Sequence, residues 1–126
     1  VGNVHIATDD GTEGYKGMVT GLMKELVEVE KRSYDECVCI GPMIMMKFVC
    51  LTTKTWGLQT TVSLNALMVD GTGMCGACRI TVDGKTKFVC VDGPEFDAHQ
   101  VDFDEMLMRM GAYKDIEKAD MYKIGK

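Results

Sequence analysis

The chain reads as an α/β protein with parallel strands, followed by a glycine-rich metal loop with a β-hairpin, and then a closing helix. Three observations predict this. Short strand-like apolar runs alternate with helical periodicity through roughly the first half of the chain. From Leu67 to about Pro94 the helical period vanishes and Gly and Asp punctuate the sequence. Apolar residues at helical spacing return from Phe103.

Taken in order, Val4-His5-Ile6-Ala7-Thr8 is expected to be a short buried strand ending at the Asp9-Asp10-Gly11 turn. Met18, Val19, Leu22, Met23, Leu26 and Val27 then recur at helical spacing with Lys and Glu between them. Cys37-Val38-Cys39-Ile40 is a second strand, ending at Gly41-Pro42. Proline suits a helix start, so the next helix is expected from Met43 to about Lys54. Thr60 to Leu64 is a third strand. Ile80-Thr81-Val82 and Thr86 to Val89 flank Asp83-Gly84, a strong hairpin signal. One register pairs Ile80 with Phe88 and Cys78 with Cys90, and a slip of one residue from it stays open. Either places Cys78 and Cys90 roughly 4.5–8 Å apart across the strands. Asp102-Phe-Asp-Glu105 resembles a capping box, and Phe103, Met106, Leu107 and Met110 form one face of the helix it opens.

Composition excludes several classes. The 126 residues are 46% apolar and 26% charged, as in a globular domain. A net charge of −5 with no basic stripe argues against nucleic acid. The longest apolar stretch, Val38 to Leu51, is broken by Gly41-Pro42 and Lys47, and is too short for the ~20 apolar residues of a membrane span. Six cysteines could form three disulfides, but no secretory segment precedes them and eleven methionines accompany them. A reducing, cytoplasmic setting is the expectation. The start at Val-Gly-Asn-Val, on a strand-like run without an initiator Met, reads as a piece of a longer protein.

The chemistry is carried by Asp70-Gly-Thr-Gly-Met-Cys75-Gly-Ala-Cys78 and Cys90-Val-Asp-Gly-Pro94. Three thiolates at this spacing can hold one metal centre, and two residues compete to be the fourth ligand. Asp70 gives the plant-type ferredoxin spacing C-x4-C-x2-C with Asp in the first position. His99 would instead complete a purely structural Cys3His zinc site. Gly71, Gly73 and Gly76 favour iron–sulfur, because several glycines let backbone N–H groups approach the sulfurs. Asp70-Gly71 could also be a plain turn.

Gly41, Pro42 and Met43 put free N–H groups and a helix start at the carboxyl edge of a strand, where open α/β sheets bind dinucleotide phosphates. Asp9 and Asp10 lie at the equivalent end of another strand, with a capping turn as the competing reading. Cys37, Cys39 and Cys50 read as buried small hydrophobes, and His5 as a core or edge residue. No nucleophile arrangement and no acid–base carboxylate pair is legible, so no catalytic residue is assigned.

Together, Thr8-Asp-Asp-Gly-Thr-Glu-Gly-Tyr-Lys-Gly-Met-Val-Thr20, Ile40-Gly-Pro-Met-Ile-Met-Met46, Val69 to Arg79 and Phe88 to Phe96 resemble the ferredoxin–NADP reductase superfamily. Within it they are most similar to the small subunits of NADH-dependent reduced ferredoxin:NADP oxidoreductases (sulfide dehydrogenase subunit beta). The dihydroorotate dehydrogenase electron-transfer subunit is a near relative. That relative ordinarily has four cluster cysteines, whereas Asp70 stands here in the first position.

The resemblance implies a [2Fe–2S] cluster on Asp70, Cys75, Cys78 and Cys90. It also implies a partial doubly wound parallel sheet, the C-terminal half of a ferredoxin–NADP reductase-type nucleotide domain. The expected divisions are 1–66 for that part, 67–98 for the cluster loop and hairpin, and 99–126 for a helical segment. NAD(H) or NADP(H) would bind near Gly41, Pro42, Met43, Asp9 and Asp10. FAD would sit on an N-terminal barrel that this chain lacks. The implied partners are a larger iron–sulfur flavoprotein subunit and ferredoxin. The chain would act as part of an NAD(P)H-dependent oxidoreductase, without hydride transfer of its own, and its unpaired strand edges would be open to a second copy.

Overall fold

The computed structural model describes residues 2–112 together with Lys114 and Lys118. The rest of the expected 99–126 segment lies outside the described residues. Its centre is a three-stranded sheet of β3 (Glu36–Ile40), β4 (Gln59–Ser63) and β7 (Glu95–Asp97), in the order β3-β4-β7. β3 and β4 run parallel, with Cys37 opposite Thr60 and Cys39 opposite Val62. β7 is antiparallel to β4, with Val62 opposite Phe96.

Between the parallel strands runs α2 (Met43–Thr55), begun at Pro42 as the sequence predicts. Met43, Met46, Val49, Cys50 and Thr53 of α2 are buried together with Cys39 and Val62. The period-2 alternation of a strand thus turns Cys37 and Cys39 toward the helix. It turns Val38 and Ile40 the other way, where they are 61% and 71% exposed. Buried Thr60 donates to Thr53 Oγ1 at 2.7 Å, and Thr53 donates to the Cys50 carbonyl at 3.1 Å, so the polar atoms beneath the sheet are paired.

The N-terminal region differs from expectation. β1 is only Ala7–Thr8 and pairs in parallel with β2 (Tyr15–Lys16), outside the three-stranded sheet. Val4 and Ile6 are exposed rather than buried. The physical reason is that a two-residue ladder covers neither face of a strand. The helix predicted from Met18 begins at Val19 as α1 (Val19–Lys24) and continues as a π-helical segment, Glu25–Val29.

The hairpin forms from β5 (Arg79–Val82) and β6 (Lys85–Phe88). Arg79 faces Phe88 and Ile80 faces Lys87, one residue away from the first of the two registers considered. The turn decides this. Asp83 and Gly84 both have positive φ, 49° and 72°, as a two-residue type I′ loop requires, and such a loop pairs Val82 with Lys85. The second strand stops at Phe88 because Val89–Asp92 forms a helical turn, α3.

α4 (Phe103–Gly111) closes the fold. Asp102 accepts from the Glu105 amide at 3.0 Å, so half of the capping box is present. The Asp102 amide donates instead to the Thr81 carbonyl, which ties the helix start to β5. Phe103 and Met106 are buried, while Met110 is exposed.

Candidate metal centre

The loop before β5 is organised around Asp70. Its Oδ1 accepts from the Thr72 amide at 2.9 Å, and its Oδ2 accepts from the Cys75 amide at 3.1 Å. These bonds stabilise the charged carboxylate, the Thr72 amide most, and hold its pKa below the ordinary value. Gly71, Gly73 and Gly76 all take left-handed φ, between +67° and +84°, which lets the backbone wind tightly from Asp70 to Cys78. The Ala77 amide points at Cys75 Sγ at 3.5 Å.

Cys90 reaches the same place from the far side of the hairpin. The short helical turn carries it there, and Asp92 fixes that turn by accepting from the Phe88 amide at 2.7 Å. The Val89 amide bonds the Cys78 carbonyl, and the Cys90 amide bonds Cys78 Sγ at 3.4 Å. That amide bond favours the Cys78 thiolate and lowers its pKa. The Cys90 thiol, hydrogen-bonded to Cys78 and near its charge, is pushed the other way. Cys78 is buried, Cys90 half-buried and Cys75 exposed.

Three thiols and one carboxylate therefore lie in one loop-and-hairpin unit, with backbone N–H groups turned toward two of the sulfurs and toward Asp70. Among the described residues no three Cys, His, Asp or Glu side chains already converge as metal ligands. Cys78 and Cys90 touch, and Asp70 meets Cys75 through the backbone. The donor chemistry suits an iron–sulfur centre, since thiolates bind iron and N–H groups stabilise the sulfurs.

The other predicted residues fall elsewhere. His99 Nε2 lies 3.3 Å from Thr53 Oγ1, and the His99 amide bonds Asp97. It therefore sits by the start of β4 and the end of α2, while Pro94, just after the cysteine segment, bonds Leu64 beyond the strand's other end. Asp10 accepts from the Thr12 amide at 3.0 Å and the Thr12 hydroxyl at 2.8 Å, forming a turn between β1 and β2 that caps no helix, since the next helix begins at Val19 after Met18. Asp9 lies in the same segment. Gly41, Pro42 and Met43 do form a strand-to-helix junction at the carboxyl end of β3, with the Met43 side chain buried.

The remaining cysteines belong to the core. Burial pushes the Cys39 thiol up to about 11, and Cys50 donates to the Ala98 carbonyl at 3.0 Å. Two arginines at the loop escaped sequence reasoning. Arg79 bonds the Gly76 carbonyl, and Arg109 bonds the carbonyls of Ala77 and Arg79. The available signal for Arg109 was a cation three residues after a core methionine in the last turn of α4.

The family model described as the iron-sulfur cluster binding domain of dihydroorotate dehydrogenase B matches residues 65–102. A Thermotoga maritima protein named dihydroorotate dehydrogenase B (NAD(+)), electron transfer subunit homolog, is 52% identical over 118 residues, 94% of this chain and 41% of that protein. An uncharacterized protein in the adh 3'region of Clostridium beijerinckii is 57% identical over 113 residues, 90% of this chain and 38% of its own length. A chain from the NADH-dependent reduced ferredoxin-NADP oxidoreductase structure, solved in work on flavin-based electron bifurcation, superposes with a TM-score of 0.81 at 48% identity. That match covers 97% of this chain and 43% of the other. The chain thus spans about two fifths of the length of the proteins it matches. Over that span it is similar to iron–sulfur electron-transfer subunits of the dihydroorotate dehydrogenase B and NADH-dependent ferredoxin–NADP oxidoreductase type, and residues 65–102 match the iron–sulfur cluster binding domain of the former.

Proposed function

We propose that this chain is the electron-transfer portion of an NAD(P)H:flavin and iron–sulfur oxidoreductase, with a [2Fe–2S] cluster held by Asp70, Cys75, Cys78 and Cys90. The observation that carries the reading is that backbone N–H groups of one loop-and-hairpin unit are aimed at Cys75, Cys78 and Asp70, with Cys90 in contact with Cys78. When bound, such a cluster supplies one-electron transfer between a flavin and a partner. The chain's own part is to hold the ligands, to fix the loop by its glycines, and to bring backbone dipoles to the sulfurs. A carboxylate in place of one thiolate makes the iron it binds harder and alters its potential.

The remaining assignments belong to the same proposal. Residues 1–66 serve as part of a nucleotide domain, 67–98 as the cluster unit and 99–126 as a closing helical segment. The N–H groups after Gly41-Pro42 face a nicotinamide dinucleotide, with Asp9 and Asp10 at the same crevice. FAD and a larger iron–sulfur flavoprotein subunit, with ferredoxin as a further partner, lie beyond this chain. The free edge of β3 and the exposed Val38 and Ile40 would be covered by the rest of such a protein, or by a second copy when the chain is alone.

Anaerobic purification followed by iron, zinc and sulfide analysis tests the core of the proposal. Iron and inorganic sulfide in equal amounts are expected. Stoichiometric zinc without sulfide, from cells supplied with iron, would overturn it in favour of a structural zinc site. Asp70→Ala should alter the visible absorption and the reduced-state magnetic resonance. Spectra identical to the parent would move the fourth ligand to water.

A further inference from the structure

The cluster loop is held from outside by two guanidinium groups. The Gly76 carbonyl accepts from Arg79 Nη1 at 3.1 Å and from the Arg79 amide at 3.3 Å. The N–H of that same peptide unit, on Ala77, points at Cys75 Sγ. One peptide is therefore strung between a cation and a candidate ligand, an arrangement in which hydrogen bonds polarise one another. Arg109 comes from α4, far along the chain, and its two terminal nitrogens bond the carbonyls of Ala77 and Arg79. These carbonyls flank Cys78 on either side. Among the described residues neither arginine forms an ion pair.

We propose that Arg109 is a positioning residue for the iron–sulfur loop and that its charge raises the reduction potential of the cluster held there. The inference rests on the cluster reading above. A guanidinium fork fixes two carbonyls at once, which an ammonium cannot do. With those carbonyls engaged by Arg109, the segment on both sides of Cys78 is held in place, and the Ala77 N–H stays directed at Cys75 Sγ. Reduction adds a negative charge to the centre, so a nearby cation favours the reduced form.

The test uses this chain loaded anaerobically with iron and sulfide. Arg109 lines a cleft of about 670 Å³ together with Ala66, Ile80 and Met106, so smaller or differently shaped side chains meet no obstruction. Arg109→Gln keeps an amide donor and loses the charge, whereas Arg109→Lys keeps the charge and loses the fork. The potential of Arg109→Gln should shift negative, while that of Arg109→Lys should stay near the parent. Both variants should release iron to a chelator faster, by about 10-fold or more as for other residues that orient metal ligands.

Equal potentials in the parent and Arg109→Gln would overturn the role of charge. Release from Arg109→Lys at the parental rate would overturn the positioning role, and this reading stands even where Arg109→Gln does not fold. A purely structural role would lower the melting temperature of the metal-free chain in both variants and leave the potential alone. A parent that takes up iron and sulfide poorly overturns the cluster reading itself, before any variant is compared.

Discussion

Gly71 and Gly73 offer a matched pair of perturbations inside the cluster loop. Both take left-handed φ, +76° and +84°, so an alanine at either pays the same backbone cost of roughly 1–2 kcal/mol. Their surroundings differ. A Cβ on Gly71 meets nothing within 4 Å, while one on Gly73 lies 2.8 Å from Val91 Cγ2. Val91 follows Cys90, and its branched side chain has little rotamer freedom to yield. Its outer side is exposed, so the overlap should cost about 1 kcal/mol, the low end for overpacking.

That difference should appear at the Cys90 amide, which donates to Cys78 Sγ. In native-state hydrogen exchange on the metal-free chain, Gly73→Ala should expose this amide about fivefold more than Gly71→Ala, the ratio equivalent to ~1 kcal/mol. Val91→Ala alone, at an exposed site, should change it little. The double variant Gly73→Ala/Val91→Ala should return to the level of Gly71→Ala. Equal exchange in the two single variants, or no rescue in the double, would refute the contact as the cause.

Two further outcomes follow from the fold. The Asp10 carboxylate is held below its ordinary pKa, chiefly by the Thr12 amide. Its contribution to the β1–β2 turn is therefore full above about pH 4 and is lost as pH falls through the lower folded value. The Thr12 amide resonance should titrate in that acid window, and Asp10→Asn should flatten the response. Met46 is fully buried between α2 and the sheet. Met46→Ala should cost about 2–5 kcal/mol in urea unfolding, with the ordering of the Asp70 loop unchanged.

Much of this protein was legible as a string of residues. Helical spacing and Gly41-Pro42 located α2 to within a residue or so, and Asp83-Gly84 located the hairpin turn. The spacing of Asp70, Cys75, Cys78 and Cys90 marked the loop whose parts the fold brings together. These signals are local: a turn type, a helix start and a ligand spacing each depend on a few neighbouring residues. β7 was not legible, because Glu95-Phe96-Asp97 has no strand signature and forms only by pairing with β4.

What the sequence by itself determined is the α/β order of elements and the place of the thiols and of Asp70 in the cysteine segment. The tertiary structure alone decided the burial of Cys78 against an exposed Cys75 and the removal of His99 to the Thr53 end of the sheet. It also decided that Arg109 of α4 grips the carbonyls around Cys78. The physical reason is separation along the chain. Contacts between residues thirty or more apart are chosen by how whole elements pack, and no local pattern of residue types records that choice.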